Sequence, residues 1–252
     1  MTRDFKIAAA QIAVLRGQLV RNVGRHVAAI EAAGRIGASV LIFPELSLIG
    51  YEPDLAAEFA LLPSDARLRP IADAAEVNGL QVAVGSSVAN GSQTPFLGAF
   101  VFGPDRTVQT YAKMHLGGTE ARYFTPGATL LMLESHGQTV GLSICADSSK
   151  PSHPAACATR KAGVYAASVF LNEDWYASDS PRFPRYAAEH RMLVVMASHG
   201  ASSGTLTSVG KSAVWSPDGT LLAQADGTEE ALVVATLTDS GWVGEVGLLS
   251  RR

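Results

Sequence analysis

A chain of 252 residues is long for one average domain and ordinary for one large α/β domain. Apolar residues make up 47% and charged residues 17%, which supports a sizeable core and excludes a disordered chain. The net charge of −3, without a run of Lys or Arg, speaks against nucleic acid or an anionic membrane as the main partner.

The first residues, Met1 to Lys6, lack the long apolar core of a signal peptide. No apolar run approaches the ~18 residues of a membrane span. The expectation is a soluble, cytoplasmic protein. Phe5 to Ile12 predicts a buried strand, and Gln18 to Gly37 a helix with Leu19, Val23, Val27 and Ile30 on one face. Ala38 to Phe43 is a short, almost uniformly apolar strand that ends at Pro44-Glu45. A carboxylate just past such a strand sits where α/β proteins collect their chemistry.

Asp54 to Ala60 predicts a short helix, and 65–77 a longer one with Leu68, Ile71, Ala72 and Ala75 inward and Asn78-Gly79 as its stop. Leu80 to Val88 is the next strand. Phe96 to Phe102 and Thr107 to Leu116 form an antiparallel pair across Gly103-Pro104-Asp105-Arg106, and Thr129 to Leu133 pairs with Val140 to Ile144. A helix at 154–162, a strand at 164–171, a helix at 182–191 and a strand at 193–198 follow. Strands at 211–215 and 220–225 flank a Ser216-Pro217-Asp218-Gly219 turn, and Ala231 to Thr236 closes the pattern. This alternation of βα units with hairpins fits mixed sheets covered by helices, an αββα sandwich in one domain over 1–252.

Three reactive residues lie at or just after apolar strands: Glu45, Lys113 and Cys145. Attack on an amide or nitrile carbon needs a nucleophile, a proton carrier and a cation or N–H for the developing negative charge. A thiol, a carboxylate in a dry pocket and an ammonium supply these in turn. Each alone has a plainer reading; a surface ion pair explains Glu45 or Lys113 equally well. Cys157, in Ala155-Ala156-Cys157-Ala158, reads as a buried structural thiol. Cys145, His153 and Cys157 match no zinc spacing, so no metal is expected.

Phe43-Pro44-Glu45-Leu46, Tyr111-Ala112-Lys113-Met114-His115-Leu116 and Gly141-Leu142-Ser143-Ile144-Cys145-Ala146-Asp147 resemble, in order and spacing, the three signature motifs of the nitrilase superfamily, the carbon–nitrogen hydrolases. The resemblance runs along essentially the whole chain. It implies the four-layer αββα sandwich of that family, with Glu45 as general base and then acid, Lys113 as oxyanion stabiliser and Cys145 as nucleophile. The Ala146 backbone N–H completes the oxyanion hole. Glu120, in Gly118-Thr119-Glu120-Ala121-Arg122-Tyr123, matches the family's second glutamate. No cofactor is implied, and no histidine; His115, on the same predicted strand face as Lys113, reads as structural although a Cys–His dyad is the obvious rival. His153 and His190 have no assigned place.

True nitrilases have Trp then Glu after the cysteine. Ala146-Asp147 is closer to the amidase and carbamoyl-hydrolase branches, which implies a small amide or carbamoyl substrate cleaved through a thioester. Ser148 to Pro154 departs from the arginine-bearing continuation of many of those branches, and His199 stands where relatives often have Asn. Tyr51, Asn172, Trp175 and His199 are candidate substrate-binding residues, and Trp175 has an equal reading as packing under its own loop. A soluble acyltransferase with an amine acceptor, a nitrilase and a non-catalytic interaction protein stay open as alternatives. Without a Gly-rich phosphate loop, the glutamine-hydrolysing half of an ATP-dependent ligase carries little weight. Family likeness implies a homodimer or larger homo-oligomer, with the apolar tail 241–252 docking on a partner subunit.

Overall fold

The central strands of this chain carry apolar residues in near-continuous runs rather than at every second position, so both of their faces must be covered. The computed structural model, which describes residues 5–249, meets that demand with two sheets face to face and helices outside each. The first seven elements are β1 (Lys6–Gln11), α1 (Leu19–Arg35), β2 (Val40–Ile42), α2 (Arg69–Asn78), β3 (Gln81–Asn90), β4 (Gln93–Phe102) and β5 (Val108–Ala112). They are followed by β6 (Met132–Ser135), β7 (Gln138–Ile144), α3 (Ser152–Thr159), β8 (Val164–Val169), α4 (Glu173–Asp179), α5 (Arg182–His190) and β9 (Leu193–Ser198). β10 (Ala213–Trp215), β11 (Leu221–Gln224), β12 (Ala231–Thr238) and β13 (Gly241–Leu248) complete the described chain.

One sheet has the order β13-β12-β1-β2-β3-β4-β5 and the other β11-β10-β9-β8-β7-β6. The period-two alternation of each strand divides its residues between two cores. Ile7, Ala9, Val40 and Ile42 face Leu142, Ile144, Ala166 and Val195 between the sheets. Ala8, Ala10, Leu41 and Val82 face outward onto Leu19, Val23, Ile30 and Ile71 of α1 and α2. Tyr165, Ala167 and Met196 face the other way onto Cys157 of α3 and Phe183 and Ala187 of α5. The layering is therefore αββα. Among the described residues no helix is long and apolar enough to cross a membrane.

The differences from the sequence reading are local. The helix expected over 54–60 is only a 3-10 turn at Pro53–Leu55. The helix expected from Asp65 begins as a 3-10 turn, Ala66–Leu68, before Arg69, and Ala74 rather than half-buried Ala72 joins Leu68, Ile71 and Ala75 inside. The strand expected to run to Leu116 stops at Ala112, so Lys113 and His115 lie in a loop and share no strand face. The strand expected at Thr129 begins at Met132. Residues 173–179, read as loop, form α4, which Asn172 caps by accepting the Trp175 N–H at 2.8 Å.

The tail expected to dock on a partner subunit forms an edge strand of its own sheet. β13 pairs antiparallel with β12 from Thr238↔Gly241 to Ala231↔Leu248. The end of that predicted tail, 250–252, lies outside the described residues, as do positions 1–4 of the leader reading.

Candidate active site

Three chain segments carry reactive side chains to one end of the sheet pair, and local backbone geometry explains their directions. After β2 the chain continues extended to Phe43, whose N–H donates to the Ala83 carbonyl at 2.9 Å. It then turns at Pro44-Glu45 so sharply that Leu46 has φ +50°. Gly85 of the neighbouring β3 makes room: a Cβ there would lie 2.2 Å from the Pro44 oxygen and 2.4 Å from the Leu46 nitrogen. Cys145 follows β7 directly with φ +40°, a left-handed conformation that costs a non-glycine residue about 1–3 kcal/mol and is stored where the surroundings enforce it. A 3-10 turn, Cys145–Ser149, continues from it. Ala146, in the first turn, lines the cavity beside Cys145, and the leading N–H groups of such a turn find no partner within it.

Glu45, Lys113 and Glu120 form one buried ionic cluster. The Lys113 ammonium donates to Glu45 Oε1 at 2.6 Å and to both Glu120 oxygens at 2.8 Å, and all three side chains are at most 2% exposed. Glu120 is held in turn by the Gly117 N–H at 2.7 Å and the Tyr51 hydroxyl at 2.8 Å. Two carboxylates around one ammonium leave an excess negative charge in a dry site. Burial is the main force raising Glu45, to about 7; Lys113 opposes it and Glu120 adds to it. Burial pulls Lys113 down, but Glu45, Cys145 and Glu120 outweigh it and hold the ammonium above its ordinary range. Burial and then Glu45 push the Cys145 thiol well up, against the pull of Lys113. At rest the group is therefore a thiol, a carboxyl poised near neutrality and an ammonium. Glu45 Oε2 is buried with no hydrogen-bond partner.

Asp147, to which sequence reasoning assigns no structural role, binds the lysine loop to the cysteine turn. Its Oδ1 accepts the N–H groups of Met114 at 3.0 Å and His115 at 2.8 Å. Its Oδ2 accepts the Ile144 N–H at 3.1 Å and the Tyr111 hydroxyl at 2.6 Å. His153 Nε2 lies 3.0 Å from the Tyr111 oxygen and its Nδ1 3.2 Å from the Tyr165 hydroxyl. With Tyr111 donating to Asp147, His153 Nε2 donates to the Tyr111 oxygen and Nδ1 accepts the Tyr165 hydroxyl, and burial lowers its pKa against the opposing pull of Asp147. His115 places Nδ1 3.1 Å from Asp147 Oδ1, so its ring is engaged by Asp147.

The four candidate binding residues separate. Tyr51 and Trp175 line a cavity of about 540 Å³ that opens onto Cys145, with Gly117, Gly118 and Thr119 on another wall. Tyr51 stacks on Phe170 at 5.2 Å and meets Trp175 edge-on at 6.4 Å. Asn172 is occupied as the cap of α4 and does not line the cavity. His199 is fully buried behind the site: its Nε2–H donates to the Glu45 carbonyl at 2.6 Å, and burial drops it to about 4. Both are corrections to a substrate-contact reading, and in each the side chain's polar atom is turned to the backbone. His190 sits on α5 beside Tyr186, with ring centroids 6.3 Å apart. Cys157 is buried between α3 and β7 and pushed up to about 12 by burial.

Glu52, Asp179 and the segment 203–206 also border the cavity, and sequence reasoning did not single them out. Glu52 is next to Tyr51, but no spacing rule marks it. Among the described residues, no group of three or more His, Cys, Asp or Glu is arranged to hold a metal ion.

A family model described as carbon-nitrogen hydrolase matches residues 6–243. A nitrilase of Pyrococcus abyssi is 28% identical over 223 residues, covering 86% of this chain and 83% of that protein. A glutamine-dependent NAD(+) synthetase of Thermotoga maritima is 28% identical over 169 residues, which is 65% of this chain but only 29% of the synthetase. Among solved structures, the amidase of Nesterenkonia sp. is 25% identical with a TM-score of 0.85, covering 95% of this chain and 92% of that one. A variant of the same amidase, at the same identity and TM-score and covering 94% and 91% of the two chains, shows covalent addition of the acetamide moiety of fluoroacetamide at its active site cysteine.

Proposed function

This chain belongs to the carbon–nitrogen hydrolase family, within the nitrilase superfamily, and on that premise we propose that it hydrolyses a small amide or carbamoyl compound through a thioester on Cys145. The observation that carries this reading is the buried Glu45–Lys113–Glu120 cluster beside a thiol in a left-handed turn at the floor of a cavity. Glu45, poised near neutrality, takes the thiol proton as Cys145 Sγ attacks the amide carbon. The oxyanion forms between the Lys113 ammonium and the Ala146 N–H. Protonated Glu45 gives its proton to the leaving nitrogen, the C–N bond breaks and ammonia or an amine departs. Glu45 then deprotonates a water that attacks the thioester, releasing the acid and restoring the thiol. Glu120 holds Lys113 in place and keeps the cluster electron-rich.

The test is an adduct. Incubating the protein and its Glu45→Gln variant with fluoroacetamide, then mapping peptides by mass spectrometry, should place the acetamide moiety on Cys145. Label on Cys157 alone refutes the mechanism. Ammonia release from amides, carbamoyl compounds and nitriles, with Cys145→Ala as control, sets the reaction class; nitriles belong in the panel because of the P. abyssi relative. Hydroxamate formation on adding hydroxylamine separates transfer to an amine from hydrolysis.

We further take 1–252 as one domain that assembles as a homodimer or larger. β13 supports this as an edge strand with Val243, Val246 and Leu248 exposed at 53%, 41% and 70%. Deleting the chain after Ser240 should reduce the assembled size measured by light scattering; an unchanged oligomer refutes that role.

A further inference from the structure

The cavity above Cys145 is charged with one sign. Its charged lining residues are Glu52, Glu120 and Asp179, and no Lys, Arg or His lines it among the described residues. Glu120 is compensated by Lys113 behind the wall. Glu52 is 3% exposed; it accepts the Ser203 hydroxyl on Oε1 at 2.8 Å and pairs through Oε2 with Arg16. That guanidinium also serves Asp54, so two carboxylates share one cation and the group keeps a negative charge. Asp179 pairs with Arg182. The helix α4 that supplies Trp175 and Asp179 to the lining also carries Glu173 and Asp174 in its first turn and has no basic residue. A cleft with one sign of charge and low-dielectric walls concentrates substrates of the other sign.

The apolar part of the same wall suits a cation as well. Trp175, 37% exposed, presents its ring beside Tyr51, and an indole face attracts an ammonium. A carboxylate has about four acceptor positions, and Glu52 uses only part of them on Ser203 and Arg16. An acyl chain ending in a carboxylate would meet Glu52 and Asp179 with no cation in the cavity lining, since Arg16 and Arg182 are already engaged by those carboxylates and lie outside it.

We propose that this cavity selects small amides whose acyl chain carries a protonated amine, with the Glu52 carboxylate receiving the ammonium and the Trp175 ring flanking it. The inference rests on the amidase reading above. The opposing account is that Glu52 only anchors the 203–206 segment, where a Cβ on Gly204 would lie 3.2 Å from Glu52 Oε2. An anchor of that kind confers no preference for charge.

The experiment compares kcat/KM for three four-carbon amides at pH 7: butyramide, 4-aminobutanamide and succinamate. The expected order is cationic, then neutral, then anionic, with about tenfold or more between the first two and a gap that narrows as salt is raised. Glu52→Gln should lower the ratio of 4-aminobutanamide to butyramide by about tenfold, and Glu52→Asp by less. A ratio reads selectivity even where a variant loses activity overall, and the wild-type panel does not depend on any variant folding. Equal rates on the three amides, a lead for succinamate, or a ratio unmoved in both variants overturns the proposal. Turnover of butyramide without charge preference refutes this inference alone. No turnover and no Cys145 adduct with any of the three refutes the amidase reading and this one together.

Discussion

Replacing Asp147 with Asn should weaken both the fold and the reaction, and the size of the effect follows from its five donors. Oδ1 receives two backbone N–H groups and the His115 ring; Oδ2 receives the Ile144 N–H and the Tyr111 hydroxyl. An amide keeps one acceptor oxygen and presents an NH₂ on the other side. Facing that NH₂ toward Met114 and His115 orphans two buried N–H groups. Facing it toward Oδ2's partners orphans only Ile144 N–H, because the Tyr111 hydroxyl can rotate, so that orientation is preferred. One orphaned buried donor costs about 1–3 kcal/mol, and neutralising the acceptor weakens the remaining charge-assisted bonds, for about 3 kcal/mol in all. At about 2–4 °C per kcal/mol for a chain of this size, Tm should fall by about 6–12 °C. Ile144 adjoins Cys145 and the Met114 loop adjoins Lys113, so kcat/KM on an amide substrate should fall at least about tenfold at temperatures where the variant is folded. Calorimetry and steady-state kinetics on the same preparation measure both. A Tm within 2 °C of wild type, or full activity in a destabilised variant, would refute the argument that Asp147 couples the two loops.

The raised Glu45 makes activity and stability move oppositely with pH. In its proposed role as base it must be ionised, so kcat/KM should fall as pH drops through about 7. Because its folded value lies above its ordinary 4.5, its contribution to stability is fully present below 4.5 and lost as pH rises toward about 7. The difference in Tm between wild type and Glu45→Gln across that window isolates this group, and a difference independent of pH contradicts it. His26 and His199, both lowered to about 4 by burial, run the other way: stability is lost as pH falls from 6.5 toward 4. A urea midpoint flat over that range in the Glu45→Gln background would be the wrong result. Gly85→Ala forces a Cβ against backbone on both sides of Glu45 and should cost at least about 1–3 kcal/mol, seen as a lower Tm with reduced kcat. Unchanged Tm and kcat would mean the backbone there yields freely. Trp175→Ala should raise KM several-fold with little change in kcat, since the ring borders the cavity and is not part of the ionic cluster; unchanged kinetics across an amide panel rules out a substrate contact.

Much of this protein was legible in one dimension because its signals are local. Largely apolar runs such as Val40–Ile42 and Val164–Val169 are strands buried on both faces, and that demand alone implies layers outside the sheets. The α1 stripe and the turn at Ser216–Gly219 are likewise written in neighbouring residues. Glu45, Lys113 and Cys145 could be named because their residue types and motif order carry chemistry. The reading was weakest where local pattern and long-range packing compete. β13 carries three glycines and is mostly exposed, so only pairing with β12 makes it a strand. Past Ala112 the Lys113 N–H still donates to the Leu97 carbonyl of β4, and Asp147, from the turn after β7, then takes the Met114 and His115 N–H groups, so the chain leaves the sheet there.

Other features belong to the tertiary structure alone. Lys113 meets Glu45 across 68 residues, and the Glu52–Ser203 contact that shapes the cavity spans 151. Periodicity reports which face of an element is buried, not which distant side chain lies opposite it. The assignment of His199 to Glu45's backbone, of Asn172 to a helix cap and of Asp147 to the seam between two loops required the folded chain, because a hydrogen bond is decided by distance and direction in space. Residue identity determined what chemistry was available; packing decided that the carboxylates and ammonium would be dry, crowded and next to a thiol, which is what shifts Glu45 toward neutrality.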